Sequence, residues 1–200
     1  VFDVNDIRYL MDYQQWATPG ELQLIETQTA SDVATVDFTD IQENIYNVHL
    51  LTVNDLQVNS AGTNARTVVT RLSNDGGSSF ISGSTAYERA YKGYYSSSGA
   101  GSDVKSTGIS YMNITGAQTS LSARSRANCY IYLYNLGDSL KYSFSTIHSS
   151  GWMKQGYTIS HFGMAQYNVA ETINGIRLLE ATGTDNINSG TFSLYGIRFV

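Results

Sequence analysis

The chain has 200 residues, a net charge of -5 and only 14% charged residues, well below the usual quarter. This length is enough for one large β domain or two small ones, and the acidic balance without any basic run argues against nucleic-acid binding. No apolar stretch reaches the roughly 18 to 20 residues of a membrane-spanning helix, so no membrane span is expected. Abundant Ser, Thr, Asn, Gly and Tyr are typical of the uncharged, β-rich surfaces of virion and extracellular proteins.

The first predicted element is a helix over Asp3–Gln15, the only segment with convincing helical periodicity. Asp3 or Asn5 can cap its first turn, and Pro19 with Gly20 ends the segment. Its apolar side chains and the tryptophan that follows are Val4, Ile7, Leu10, Met11 and Trp16. We therefore predict that residues 1–20 form a helical arm that anchors the chain to another subunit, and that residues 21–200 form one β-sandwich domain.

From Glu21 onward, short β-prone runs alternate with turn residues, which is typical of a sandwich or barrel. The predicted strands, enough for two sheets, are Leu22–Thr29, Val33–Phe38, Ile45–Val53, Ala65–Ser73, Ala86–Tyr95, Ser106–Thr115, Ala127–Asn135, Leu140–His148, Tyr157–Tyr167, Ile176–Ala181 and Gly190–Val200. Asp75–Gly77 and Leu136–Asp138 are predicted hairpin turns. The run Ser96–Ser102 lacks an apolar anchor and is predicted to be a long exposed loop.

The last predicted strand runs to the end of the chain. Termini usually fray, so a terminal strand with large apolar side chains indicates a sheet that depends on it. Phe192 and Leu194 share one face, but Ile197 and Phe199 have the opposite parity. One extra residue would restore a single buried face, so we predict a β-bulge at Gly196.

Motifs for catalysis or metal binding are weak. Ser73–Phe80 (S-N-D-G-G-S-S-F) is similar to the Asp-box of sialidases, but it occurs once and is interpreted as a turn stabilised by Asp75. The three histidines lie in different predicted strands without metal-ligand spacing, and no nucleophile elbow or distinctive carboxylate pair is present. Cys129 alternates with apolar residues and is interpreted as a small core residue. We expect no enzymatic activity, no cofactor and no metal.

The most unusual pattern is aromatic. Tyr130, Tyr132 and Tyr134 alternate along one predicted strand and share a face, whereas the Cys, Ile and Leu between them share the other. A second candidate group consists of Tyr87, Arg89, Tyr91 and Tyr94. Tyrosine offers a large contact area and a hydroxyl, which suits packing between strands, a subunit interface or a sugar-binding platform. All three interpretations stay open, so these residues are candidates for interface or glycan contact.

Four segments carry a resemblance: Leu24–Thr39 (LIETQTASDVATVDFT), Ile45–Val53 (IYNVHLLTV), Arg71–Phe80 (RLSNDGGSSF) and Asn188–Arg198 (NSGTFSLYGIR). In this order they resemble a recurrent domain of tailed-bacteriophage virion proteins of the head-fibre, capsid-decoration and tail-fibre type. The resemblance covers roughly Leu22–Val200. It implies a jelly-roll domain, a place on the virion and, commonly, a homotrimer.

We therefore expect a virion structural protein, a capsid decoration or fibre subunit that assembles as a trimer, contacts other capsid or tail proteins and meets the host surface. The alternative is a glycan-binding tail-fibre adhesin, in which Ser96–Ser102 and Tyr87, Tyr91 or Tyr94 form the receptor site. A third hypothesis, a glycan hydrolase, requires a cleft that holds two carboxylates. The position on the particle, the host and the receptor stay open.

Overall fold

The computed structural model describes residues 3, 5, 21–59, 66–99, 101–113, 125–153 and 155–197. These residues form two antiparallel sheets packed as a β-sandwich, which confirms the predicted fold class. The strands are β1 (Leu22–Val33), β2 (Thr35–Phe38), β3 (Val48–Val58), β4 (Val68–Ser73), β5 (Tyr87–Tyr95), β6 (Gly101–Ile109), β7 (Met112–Asn113), β8 (Ala127–Tyr134), β9 (Tyr142–Trp152), β10 (Thr158–Ala170), β11 (Gly175–Glu180) and β12 (Ile187–Ile197).

The predicted N-terminal helix falls almost entirely outside the described residues. Of residues 1–20, the structure describes Asp3 and Asn5. The Asp3 side chain accepts a hydrogen bond from the Asn5 N–H at 2.7 Å, as a capping residue would. The apolar residues of the predicted anchoring helix, Val4, Ile7, Leu10, Met11 and Trp16, lie outside the described residues. The anchoring arm therefore stays a prediction.

The strand order is that of a jelly roll with two insertions. The long sheet has the order β1-β12-β3-β8-β9-β10-β5-β6, and the short sheet has the order β2-β11-β4-β7. Without the hairpins β5–β6 and β9–β10, the two sheets become β1-β12-β3-β8 and β2-β11-β4-β7. In that arrangement the first and last strands are neighbours, and successive strands cross between the sheets except for β4 and β7, which pair within the short sheet. This is the double Greek key of a jelly roll. Both inserted hairpins extend the long sheet from the β8 side.

The core lies between the inner faces of the two sheets. Because side chains alternate along a strand, each strand contributes every second residue to it. Fully buried examples are Phe38 and Leu178 from the short sheet and Leu51, Phe192 and Leu194 from the long sheet. The predicted core position of Cys129 is confirmed, since it is buried and burial raises the pKa of its thiol to about 12.

The last strand is regular where a bulge is predicted. Gly196 pairs with both neighbouring strands without a register shift. The irregularity in the β1–β12 pairing lies on β1, between Leu24 and Glu26, and those in the β12–β3 pairing lie between Ile187 and Thr191. Gly196 shares the inner face, and the Tyr46 ring covers it so closely that an added Cβ would lie 2.2 Å from the ring. The predicted bulge is therefore wrong, because the glycine makes room for an aromatic ring on the core face while Ile197 takes the outer face. Phe199 lies outside the described residues.

The predicted loop at Ser96–Ser102 is exposed over residues 96–99, as expected, but it is shorter than predicted. β5 ends at Tyr95 and β6 begins at Gly101, so the connection is a short hairpin turn. Gly99 lies in the left-handed region, with φ of 63°. Its N–H donates to the Tyr95 carbonyl oxygen at 3.0 Å. β6 is an edge strand with one neighbour in the described sheet, so it does not need the apolar alternation by which buried strands are recognised.

The Asp-box-like segment is a structural turn, as predicted, but not a hairpin between paired strands. It connects β4 and β5, which belong to different sheets. Asp75 accepts hydrogen bonds from the Ser79 hydroxyl at 2.6 Å and the Ser79 N–H at 2.9 Å. Together with a hydrogen bond from Ser73, these bonds lower the pKa of Asp75 to about 2. The Leu136–Asp138 turn does close a hairpin, between β8 and β9.

Candidate functional site

The outer face of the long sheet, turned away from the core, carries the most unusual surface. On β8 the burial alternates strictly, so Tyr130, Tyr132 and Tyr134 point outward while Cys129 and the other intervening apolar residues point into the core. This alternation is the one that the sequence predicts. The three tyrosines therefore lie on a surface that is open in the described structure.

Strand register continues this surface across the inserted hairpins. Tyr130 of β8 pairs with His148 of β9, which pairs with Phe162 of β10, which in turn pairs with Lys92 of β5. The Tyr130 hydroxyl is hydrogen-bonded to His148 Nδ1 at 2.9 Å, and His148 Nε2 lies 3.4 Å from the Ser160 hydroxyl. These contacts join three strands through one polar chain and hold the aromatic side chains in place.

Two further aromatic residues complete the surface. Tyr94 of β5 stacks on Phe162, with ring centroids 6.2 Å apart and an interplanar angle of 23°. Trp152 ends β9 and pairs with Thr158 of β10. We define the outer aromatic face by its members Tyr94, Tyr130, His148, Trp152 and Phe162. Four of them keep a large exposed fraction, at 47% for Tyr94, 46% for Tyr130, 38% for Trp152 and 48% for Phe162, so their rings are available to a ligand.

A hollow of about 620 Å³ opens beside these rings. Around it lie two aromatic members of the face, Tyr94 and Trp152, and hydrogen-bonding groups from Arg126, Asn128, Ser150, Thr158 and Ser160. This hollow, called here the tryptophan hollow, combines apolar walls with a few polar groups. That combination is typical of small-molecule sites.

The polar groups of the tryptophan hollow are oriented by neighbours. Arg126 Nε is 2.9 Å from a carboxylate oxygen of Asp55, so its charge is paired. The Asn128 amide oxygen accepts a hydrogen bond from the Asp55 N–H at 3.0 Å. This bond directs the Asn128 side chain and leaves its NH2 group as a donor.

The second group of predicted aromatic contacts divides between the two faces of β5. Tyr94 is on the outer face, whereas Tyr87 is fully buried and its hydroxyl donates to the Ile81 carbonyl oxygen at 3.1 Å. Tyr91 and Arg89 share the parity of Tyr87, so they belong to the inner side of the sheet. Tyr87 is thus a core residue in the structure, and Tyr91 and Arg89 do not line the outer aromatic face.

On the inner side, His161 occupies a tight aromatic site. Its ring lies edge-on to Tyr91, with centroids 5.4 Å apart, and edge-on to Tyr95 at 6.3 Å. Gly93 pairs directly with His161, and a Cβ added to Gly93 would lie 2.3 Å from the imidazole. Burial lowers the pKa of His161 to about 4, so the ring is neutral at physiological pH.

A second open surface lies at the other end of the long sheet. β1 is an edge strand of 12 residues, and the exposed fractions of its Leu22 and Leu24 are 49% and 58%. Long apolar edge strands tend to pair with other chains. This edge directly follows residues 1–20, the predicted anchoring arm.

Carboxylates and histidines are dispersed in the described part of the chain. No three His, Cys, Asp or Glu side chains there come together as metal ligands would. Glu180 is buried and accepts hydrogen bonds from the backbone and side chain of Thr182, and Glu171 accepts one from the Tyr167 hydroxyl. Both acidic groups therefore have structural partners. Among the described residues, no helix is long and apolar enough to cross a membrane.

The predicted candidates missed His148, Trp152 and Phe162. The sequence carries a signal for Phe162 and Trp152, because each is a large apolar residue among mostly polar residues on the outward face of β10 or β9. That signal becomes readable only when the inward parity of each strand is known. The register then pairs His148 with Tyr130, the Phe162 ring stacks on Tyr94, and Trp152 borders the same hollow as Tyr94.

No known protein family matches the chain, and no curated protein matches it. Among solved structures, the CBM2 module of the evolved Dit of Lactobacillus casei BL23 phage J-1 is similar to it with a TM-score of 0.25 and 9% sequence identity, over 94% of this chain and 86% of that one. A likeness at that TM-score supports no conclusion about the function of this chain. What the fold itself defines is a jelly-roll β-sandwich with an open aromatic face on its extended sheet.

Proposed function

We propose that this protein is a structural subunit of a tailed-phage virion that binds a glycan of the host surface on its outer aromatic face. The observation that carries the glycan-binding part is the group of exposed rings, Tyr94, Tyr130, Trp152 and Phe162, beside the polar-lined tryptophan hollow. The virion assignment is supported by the sequence resemblance and by the jelly-roll strand order that it implies.

The chemistry of the surface favours a sugar as the occupant. A pyranose has apolar C–H faces and a rim of hydroxyl groups, so it is matched by flat aromatic rings with hydrogen-bonding groups between them. Tyr94 and Trp152 supply the rings at the hollow, and Asn128 and Ser150 supply polar groups. A stable protein interface would instead need about 800 Å² per partner with a largely apolar centre, whereas here Ser, Thr and Asn alternate with the rings.

We further propose that the bound glycan is not cleaved. Most glycoside hydrolases place two carboxylates on either side of the scissile bond. The described groups around the tryptophan hollow are aromatic, hydroxyl, amide and guanidinium groups, which are suited to holding a sugar. The function proposed for this site is therefore recognition.

A glycan array probed with the purified full chain tests the binding proposal. We expect specific glycans to bind and Trp152→Ala or Phe162→Ala to lower their affinity about tenfold, since each change removes one stacking surface. Tyr142→Ala is the matched control, because Tyr142 is an exposed tyrosine at the far end of β9, with an exposed fraction of 47%. Binding that neither Trp152→Ala nor Phe162→Ala weakens, or no binding at all, would contradict the proposal.

We propose self-assembly, as a trimer that decorates a capsid or forms a fibre, as a second function. The exposed Leu22 and Leu24 on the β1 edge support it, because such an edge is favourable for contact between copies. Native mass spectrometry of the full chain should give a trimer, and Leu22→Ser with Leu24→Ser should weaken it. Val169→Ser, an equally exposed apolar position on β10, is the control. A parent chain that is strictly monomeric contradicts this proposal.

A further inference from the structure

We propose that the ligand of the outer aromatic face is a neutral, linear glycan and that about five of its sugar units lie along β10. This inference rests on the glycan-binding function proposed above and specifies which class of glycan the site accepts. It depends on the shape of the whole outer surface of β10, β5 and β6, not on the tryptophan hollow alone.

Three hollows follow one another along β10. The tryptophan hollow includes Ser160. A middle hollow of about 420 Å³ includes Phe162 and Lys92, and an end hollow of about 520 Å³ includes Met164 and Gln166. Alternate residues of a strand point to the same face, so Ser160, Phe162, Met164 and Gln166 form a single outward row. The stacked rings of Tyr94 and Phe162 lie where the tryptophan and middle hollows meet.

The length of this row sets the length of the ligand. From Thr158 to Gln166 the strand advances eight residues at about 3.3 Å each, which gives about 26 Å, while the width of a pyranose ring and its glycosidic oxygen adds about 5 Å per sugar to an extended chain. About five sugars therefore span the three hollows. A monosaccharide would occupy only one of them.

The charges along the row indicate a neutral ligand. In the middle hollow Lys92 Nζ is 3.4 Å from a carboxylate oxygen of Asp103, and in the tryptophan hollow Arg126 is paired with Asp55. Surface pairs of this kind cancel most of each other's field. Lys105 adds a positive charge beside the middle and end hollows, and Glu88 and Arg89 add one charge of each sign beside the end hollow. Both signs therefore alternate along the row, and an acidic or basic chain would meet like charges as well as opposite ones.

The surface is also rigid, so little conformational entropy is lost when a ligand binds. Every residue of the outward row is on a central strand, with β9 on one side and β5 on the other. Side chains on paired strands lose less entropy on binding than side chains on loops. An extended chain can therefore gain affinity from each hollow that it fills.

A chain-length series tests the inference. The purified full chain is titrated calorimetrically with cello-, chito-, malto- and xylo-oligosaccharides of one to six units. In the series that binds, we expect the association constant to rise at least tenfold from the disaccharide to the tetrasaccharide and to level off by the hexasaccharide. Met164→Ala, at a position with an exposed fraction of 43%, should weaken hexasaccharide binding several-fold and leave disaccharide binding unchanged. Val169→Ala, with 47% exposed, is the control on the same strand.

The outcomes separate the two proposals. Binding that is already complete with a mono- or disaccharide overturns the extended-chain inference but leaves glycan recognition standing. Preference for acidic glycans on the array over all four neutral series overturns the neutral-ligand inference in the same way. Absence of binding to every series and to the array refutes both proposals.

Discussion

Replacement of Gly196 with alanine should destabilise the fold through one identifiable clash. A Cβ at this position would lie 2.2, 2.3 and 2.5 Å from the Cγ, Cδ2 and Cδ1 atoms of the Tyr46 ring. Carbon atoms in contact are normally about 3.5 to 4.0 Å apart, so the ring must move by more than 1 Å, on the order of a bond length. Tyr46 is buried, with 5% of its surface exposed, and has little room to do so.

The expected cost has two parts. Overpacking of a buried site costs about 1 to 3 kcal/mol. Movement of the ring also disturbs the hydrogen bond from the Tyr46 hydroxyl to Gln23 Oε1, which is 2.6 Å long and contributes about 1 kcal/mol. We expect the free energy of unfolding to fall by about 2 to 4 kcal/mol, and the melting temperature to fall by roughly 5 to 15 °C for a chain of this size.

Urea unfolding of the parent and the variants measures this cost. Gly83→Ala is the control, because a Cβ there would meet its nearest neighbour, the Ala86 Cβ, at an ordinary 3.7 Å. In a double-mutant cycle, Gly196→Ala should cost much less when Tyr46→Ala has already removed the ring. The explanation is refuted if Gly196→Ala lowers the free energy of unfolding by less than about 0.5 kcal/mol, the usual limit of additivity. It is also refuted if the substitution costs the same with and without the Tyr46 ring.

Three further predictions concern buried or paired groups. Burial lowers the pKa of His161 from 6.5 to about 4, so the unfolded chain binds the proton more tightly and stability present at pH 7 should be lost as the pH falls toward 4. Urea unfolding should show a loss of about 1 to 2 kcal/mol at pH 5 relative to pH 7. His161→Gln should make this loss smaller. The thiol of Cys129, buried and with its pKa raised to about 12, should react with a thiol reagent in urea but very slowly in the native protein, and rapid native labelling would contradict its core position. Asp37→Ala removes the carboxylate that Arg177 binds through two hydrogen bonds of 2.8 and 2.6 Å; partial exposure limits the expected loss to about 1 to 2 kcal/mol, and chemical denaturation that detects no loss would count against this pair.

The sequence predicts most of the fold because buried strands leave a local signature. β8 shows it most clearly, since its aliphatic and tyrosine residues occupy opposite parities. β6 lacks that signature, because an edge strand can satisfy its backbone while carrying polar side chains on both faces. The predicted bulge at Gly196 was wrong for a related reason, since its role depends on Tyr46, which is 150 residues away in the chain.

The candidate site is only partly predictable from sequence. On β5, tyrosines occupy both parities, so the sequence does not show that Tyr87 enters the core while Tyr94 stays outside. The contacts of Tyr130 with His148 and of Tyr94 with Phe162 depend on the register of four strands. Register is set by pairing across the whole sheet and by the turns, which is long-range information.

The two inserted hairpins have a consequence for how the surface can change. Most members of the outer aromatic face, including Trp152, Phe162 and Tyr94, belong to β9, β10 and β5. The eight strands of the jelly roll close their double Greek key without these hairpins. Exposed positions on the hairpins can therefore accept substitutions at little cost to the framework. A protein built in this way can acquire a new binding preference while its architecture stays the same.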